Sequence, residues 1–417
     1  MYHVQLCHLR KDFRNYSSSK IYNLVIEQRC TSLTPPTSVH RLRPGDIDVV
    51  GALGDSLVAG NGALEEFAIG TFIEARGVSW CAGGQDNWRK YLTVPNILKE
   101  FNPKLTGYAT GTGEFISRKA RLNIAFPVAA AEDALHQAKI LVQRIRNDPE
   151  IDVQKHWKMI TILFGANDVC SAQCYNPKKF SPIRYALHLR RTLDFLRASL
   201  PRTIVNLVPA VGTLSKYSTR YIQFFIEFRR TCTYFLYMMM IRLRRRDDIV
   251  ASVGAQRHVQ HTASPVLRLS ASWQSAGPHR FEDVADVPAS GRGSHCLWKV
   301  SRARSTFTHY ERDRYDTSDD FTAVLQPFTK LFNSPKADPS RGLPIDANLV
   351  THDCFHFSQK GHALGANLLW NNLLEPVGNK TDQGFPRIFE RVLCPSAAAP
   401  YIFTNVNSRN FLLTGSQ

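Results

Sequence analysis

A serine, a histidine and a carboxylate occur in this chain at positions from which they could cleave an ester together. Ser56 follows Gly54-Asp55 at the end of an apolar run, 47–53, and a turn leaving a buried strand is where an α/β protein exposes a nucleophile. Far downstream, Asp353-Cys354-Phe355-His356 sets a carboxylate three residues before an imidazole. That spacing lets the carboxylate orient and polarise the ring, which can then take the proton of a serine hydroxyl. Gly165-Ala166-Asn167-Asp168 follows another strand-like run. There the Asn167 amide could donate to the oxyanion formed when Ser56 attacks, with the Ser56 backbone N–H as a second donor. Taken singly, Gly54–Ser56 and Gly165–Asp168 are ordinary turns, and Asp353 is a helix-capping carboxylate beside an exposed histidine. All three at strand ends, in this order, predict a serine esterase.

The neighbouring candidates fit less well. His362 lies inside a helix-like stretch and reads as structural, while His352 is on the wrong side of Asp353 for this spacing. Asp55 adjoins the nucleophile and reads as a turn residue rather than the orienting acid. The run Met238-Met239-Met240 is expected in a core or an interface.

The elements that must position these groups alternate. Strand-like runs occur at 47–53, 121–125, 158–164, 203–208 and 321–326, and helix-period stretches at 129–147, 182–199, about 217–243 and 358–374. Near-continuous apolar strands between helices predict a parallel sheet covered on both faces, with reactive residues at the strands' carboxyl ends. Residues 1–34 are polar and poorly patterned, 245–305 form an irregular insertion expected to be disordered, and 406–417 are a tail. One domain over 35–405 is expected, interrupted by that insertion.

Composition narrows the alternatives. With 417 residues, 43% of them hydrophobic, the chain can bury a full core. No run approaches the roughly 20 apolar residues that span a bilayer, and the start of the chain lacks the apolar stretch of a signal peptide. The net charge of +17 is concentrated: residues 1–46 carry +4 and residues 229–304 carry +8, leaving +5 for the better-patterned remainder. A charge so placed reads as solvated surface rather than a nucleic-acid site. Among the nine cysteines, Cys170 and Cys174 are neighbours and Cys30 and Cys394 lie in the two tails, compatible with disulfides. No paired CxxC spacing points to zinc. Asn15-Tyr16-Ser17 and Asn379-Lys380-Thr381 are glycosylation triplets of a kind that also arises by chance.

Gly54-Asp55-Ser56-Leu57, Gly165-Ala166-Asn167-Asp168 and Asp353-Cys354-Phe355-His356 together resemble the motifs of GDSL-type SGNH hydrolases. Longer strings, among them Pro36-Thr-Ser-Val-His-Arg-Leu-Arg-Pro-Gly-Asp-Ile, Tyr315-Asp-Thr-Ser-Asp-Asp-Phe and Asp353-Cys-Phe-His-Phe-Ser-Gln-Lys-Gly-His, look like the phospholipase B1 branch. The similarity covers about 35–228 and 311–405. It implies a flavodoxin-like, three-layer α/β/α fold with a sheet of about five strands and no metal or organic cofactor. It implies hydrolysis of glycerophospholipid and lysophospholipid acyl esters at a membrane or micelle surface, by a monomer that is extracellular or membrane-associated and binds no nucleic acid. Ser56 carries over as nucleophile, His356 as base, Asp353 as its orienter and Asn167 as oxyanion donor. One departure stands out. Where the family has an oxyanion-donating glycine, in a string resembling Asn-x-Ala-x-Pro-Gly-Ala, this chain has Val128. Its branched side chain resists positive φ, so Val128 is a doubtful backbone donor. Two alternatives remain open: a catalytically impaired lipid-binding relative, and an SGNH esterase acting on other acyl esters.

Overall fold

Every residue of the first three strands is buried, as runs apolar on both faces require. In the computed structural model, β1 (Val49–Gly54), β2 (Lys158–Leu163), β3 (Thr203–Val208) and β4 (Phe321–Leu325) form a parallel sheet in the order β1-β2-β3-β4. The described residues are 30–168, 176, 178–209, 314–329, 347–353, 355–382 and 391–416. They all belong to one compact unit. The helix expected at 217–243 and the insertion at 245–305 lie outside them.

The sheet separates two cores. Val49 and Leu53 of β1, Ile160 and Ile162 of β2, and Val205 and Leu207 of β3 face one cluster. Val50, Ala52, Met159, Leu163, Ile204 and Val208 face the other. The period of two along each strand sorts the side chains, so both faces need a helical cover. On the first face lie α3 (Ala134–Asn147) and α4 (Pro182–Ser199); on the second lies α5 (Gln359–Leu373). In α3 the buried residues Ala134, Gln137, Ala138, Leu141, Val142 and Ile145 recur at helical spacing. The start of α4 is set by Ser181, which accepts from the Arg184 N–H, and by Pro182 at the first helical position. Ser358 caps α5 in the same way through the Gly361 N–H. Short helices α1 (Ser56–Ala59) and α2 (Val94–Leu98) and the C-terminal α6 (Asn405–Thr414) complete the described helices used below.

The fold is thus α/β with three layers, but the sheet of the described residues has four strands rather than about five. The run expected as a strand at 121–125 makes one parallel bridge, Ala52 to Asn123, on the free edge of β1. Two ladder bonds hold it, Ala52 N–H to the Leu122 carbonyl at 3.0 Å and Ile124 N–H to the Ala52 carbonyl at 2.9 Å. Arg121, with φ of 47°, ends a 3-10 turn immediately before this run. The extended stretch is therefore too short for a full strand. With this edge segment counted beside β1, the order is that of a flavodoxin-like sheet.

Candidate active site

Strand β1 delivers Ser56 directly. A Cβ on Gly54 would lie 2.6 Å from both the Leu163 carbonyl oxygen and the Val58 side chain, so only glycine allows the strand to turn this sharply into α1. Gln137 of α3 braces the same point. Its Oε1 accepts from the Gly54 N–H and its Nε2 donates to the Gly54 carbonyl, both at 2.8 Å. Asp55 caps α1, with Oδ1 accepting from the Leu57 N–H at 2.9 Å. Ser56 is buried at the first helical position. Its backbone N–H has no partner among the described residues.

The acid and base arrive on a closed loop. Val350 and Phe357 bridge antiparallel, and the Thr351 N–H donates to the His356 carbonyl at 2.8 Å. Within this loop Asp353 Oδ1 accepts from the Thr351 hydroxyl at 2.6 Å and from the N–H groups of Phe355 and His356, each at 3.0 Å. Asp353 Oδ2 meets His356 Nδ1 at 2.5 Å, and His356 Nε2 lies 2.7 Å from Ser56 Oγ. Burial by itself would raise the Asp353 carboxyl. The hydrogen bond and charge of His356, with the Thr351 hydroxyl, instead hold it below the usual carboxylate range. It is therefore ionised, and an ionised carboxylate at Nδ1 directs the imidazole's other nitrogen at Ser56 as an acceptor.

The segment leading to Val128 crosses the end of β1. The Phe126 N–H donates to the Gly54 carbonyl at 3.3 Å, and Asn123 Nδ2 to the Val58 carbonyl of α1 at 3.1 Å. Asn167, just past β2, donates through Nδ2 to the Ala129 carbonyl at 3.0 Å. Asp168 accepts from the Ala131 N–H at 3.0 Å through Oδ2. The turn delivering this pair depends on Gly165, whose φ is 114°. Val128 itself has φ of 66° and is 77% exposed. It therefore takes the left-handed backbone that a glycine would adopt without strain, although for a β-branched residue this conformation is an outlier. Its N–H has no partner among the described residues.

Of the predicted site residues, Ser56, His356 and Asp353 are joined by two hydrogen bonds. Asn167 bonds the carbonyl of Ala129, the residue after Val128, on a segment bonded to the end of β1. His362 is buried in α5, where its Nδ1 accepts from the Trp80 N–H at 3.3 Å. Burial, then the charge of His356, pushes it down to about 3, so it stays neutral. Asp55 is fully buried with Oδ2 unpartnered, and burial, reinforced by the nearby charge of Asp168, pushes its carboxyl up to about 7. Asp168 is raised to about 6, chiefly by burial.

Three supports were not foreseen from the sequence: Gln137, Thr351 and Arg76. The Arg76 guanidinium is buried; it bonds the Asn123 carbonyl at 3.0 Å and the Ala125 carbonyl at 2.6 Å, and pairs with Glu74. It thereby braces the run that leads to Val128. In the sequence, Glu74 and Arg76 stand two apart like any surface charges, and only the burial of their neighbours could have flagged them. Among the described residues, no group of three or more His, Cys, Asp or Glu side chains is placed to hold a metal, and no helix is long and apolar enough to cross a membrane. Cys30 carries a thiol. Cys394 is disulfide-bonded.

A parallel α/β sheet with a serine at the end of its first strand, held against an Asp–His loop, defines a class, and comparison with known families assigns it. The chain matches the GDSL-like Lipase/Acylhydrolase family over residues 50–369 and belongs to that family. Among curated proteins it is 36% identical over 390 residues to phospholipase B1, membrane-associated, of Homo sapiens, and 34% identical over 387 residues to the Mus musculus protein of that name. Each alignment covers 92% of this chain and 23% of the relative, so the chain spans under a quarter of those proteins' length. Among solved structures, a putative GDSL-like lipase from Parabacteroides merdae ATCC 43184 aligns with 78% of this chain and 94% of its own, with a TM-score of 0.34 and 13% identity.

Proposed function

We propose that this chain is a serine ester hydrolase that releases fatty acids from glycerophospholipids and lysophospholipids through an acyl-enzyme. The observation that carries the reading is the continuous relay from Asp353 through His356 to Ser56, with contacts of 2.5 and 2.7 Å. In this reading Ser56 Oγ attacks the ester carbonyl carbon while His356 Nε2 takes the hydroxyl proton. Asp353 keeps the imidazole in the right tautomer and stabilises the imidazolium. The carbonyl oxygen, now an oxyanion, accepts from the N–H groups of Ser56 and Val128 and from the Asn167 amide. Collapse expels the glycerol oxygen, which receives the proton from His356. Water, deprotonated by His356, then attacks the acyl carbonyl; the Ser56 Oγ–acyl bond breaks, Oγ takes the proton back from His356, and the fatty acid is released.

The choice of lipid rests on the resemblance to the phospholipase B1 relatives. The disulfide at Cys394 supports an extracellular or membrane-associated, oxidising setting. A fluorophosphonate probe is expected to label the folded protein, and Ser56→Ala to abolish that labelling. Absence of labelling on folded wild-type chain rules out the serine mechanism, and faster release of fatty acid from phosphatidylcholine than of the acyl group from a short soluble ester assigns the substrate class.

A further inference from the structure

Between the end of α1 and Glu74 the chain makes a loop that exposes several large apolar side chains. Its ends are pinned. Asn61 and Glu74 bridge antiparallel, the Gly62 N–H donates to the Ile73 carbonyl at 2.8 Å, and Asn61 Nδ2 donates to the Thr71 carbonyl at 3.1 Å. Within it, the Gly70 N–H donates to the Phe67 carbonyl and the Ile73 N–H to the Gly70 carbonyl, both at 2.9 Å. These bonds tie the loop to itself, while four of its large apolar side chains are exposed. Phe67 is 74% exposed, Phe72 75%, Ile69 52% and Ile73 43%. Single exposed apolar residues are common on protein surfaces; four within seven residues form a patch that marks an interaction surface.

Both catalytic segments reach this loop. The Asn61 N–H bonds the Ser56 carbonyl at 3.2 Å, and a Cβ on Gly62 would touch the Thr351 side chain at 3.4 Å. The root of the loop also lines a groove of about 560 Å³, together with Ser358, Gln359 and Lys360, just past His356. Arg89, Lys90 and Lys360 share that groove with Glu65 and Glu66. Mixed charge of this kind complements headgroups that carry both signs. The exposed apolar area is on the order of 400–500 Å², taking about 150–250 Å² for a whole aromatic side chain. A stable dimer needs roughly 800 Å² per partner, so a second copy is the poorer occupant.

We propose that the loop from Leu64 to Ile73 is an interfacial anchor that inserts Phe67, Ile69, Phe72 and Ile73 into a lipid surface and so brings the groove and Ser56 against it. The identity of this partner rests on the lipid-hydrolase reading. Apolar side chains carried on a loop pinned at its ends enter the headgroup boundary at a lower ordering cost than those on a free segment.

The test measures binding of the full chain carrying Ser56→Ala to phosphatidylcholine vesicles by flotation, so that it does not depend on turnover. Adding Phe67→Ser and Phe72→Ser is expected to raise the half-saturating lipid concentration at least tenfold. The melting temperature should hold, and Phe67→Leu with Phe72→Leu should retain binding. In the catalytically intact chain, the ratio of turnover on vesicles to turnover on a short soluble ester should fall at least tenfold with the serine pair. Failure of the Ser56→Ala chain to bind vesicles, binding unchanged by the serine pair, or loss of a dimer in place of lipid binding would each overturn the anchor. A chain that binds vesicles through these residues yet hydrolyses no ester would keep the anchor and overturn the hydrolase reading.

Discussion

The Asp353–His356 loop bonds Ser56 and the 123–131 segment bonds Gly54 and Val58 on either side of it, and they are built in opposite ways. In the first, each bond supports the next. The Thr351 hydroxyl and two backbone N–H groups converge on Asp353 Oδ1, and the other oxygen holds the imidazole. No residue in 347–358 that the structure describes needs positive φ. In the second, a β-branched residue sits at φ of 66° and the neighbouring backbone is held by outside groups: Arg76, Asn167 and Asp168. The Asp–His loop is self-contained, while the 123–131 segment is held in shape by its neighbours. Strain of this kind costs roughly 1–3 kcal/mol and persists only where the surroundings over-determine it.

The largest effects should fall on the relay. Ser56→Ala should lower turnover by about 10⁶, and Asp353→Asn by about 10⁴ with the fold retained, measured on a soluble ester with the melting temperature as control. A loss under tenfold for Asp353→Asn would mean that the carboxylate does not orient His356. Asn167→Ala should cost about 10²–10³ in turnover. Because Asn167 also anchors the Ala129 carbonyl, Asn167→Asp, which keeps the size but not the donor, should be as slow. Full activity in that variant would remove the amide from the site.

Stability against pH separates Asp353 from two other buried carboxylates, Asp55 beside Ser56 and Asp168, which supports the 123–131 segment. Asp55 and Asp168 have folded values of about 7 and 6, raised above the ordinary carboxylate value mainly by burial. Between about pH 4 and pH 7 the folded chain therefore binds more protons than the unfolded one. The stability they contribute is full below about pH 4 and is lost as pH rises through 6 to 7. Asp55→Asn should flatten this decline by an amount on the order of 1–4 kcal/mol between pH 4 and pH 8, read from denaturant midpoints. Asp353, held low, acts in the opposite sense: its stabilisation is present above about pH 4 and fades as pH falls below it. An unchanged pH profile in Asp55→Asn would show that Asp55 is already neutralised by some other contact.

The smallest effect tests the strain itself. Val128→Gly should raise stability by about 1 kcal/mol, the relief of the left-handed valine less the extra freedom of glycine in the unfolded chain. Turnover should change by less than about tenfold, since valine already takes the required backbone. A gain of about 10² or more would mean that the valine N–H is not delivered to the oxyanion, which favours the impaired-relative alternative.

Much of this was legible along the chain because its signals are local. The bounds of α4 match the expected 182–199, since Ser181-Pro182 starts it and its apolar period runs to Leu196. The strand at 121–125 was misjudged because Arg121-Leu-Asn-Ile-Ala has the composition of a strand, while its length on the sheet edge depends on a turn at Arg121 that composition does not reveal. Val128 was expected to resist the left-handed region, and its intrinsic preference does; the anchors at Ala125, Ala129 and Ala131 override it.

By itself the sequence determined the layers of the fold and the residue types of the relay, because strand and helix periods and an i, i+3 carboxylate–histidine spacing are short-range properties. Only the tertiary structure decided that Ser56, three hundred residues from His356, lies 2.7 Å from its Nε2. It also decided that Gln137 clamps Gly54 and that a buried Arg76 braces the run before Val128. These contacts join elements far apart in the chain, and their geometry follows from how the sheet and its two helical faces pack, which no local pattern encodes.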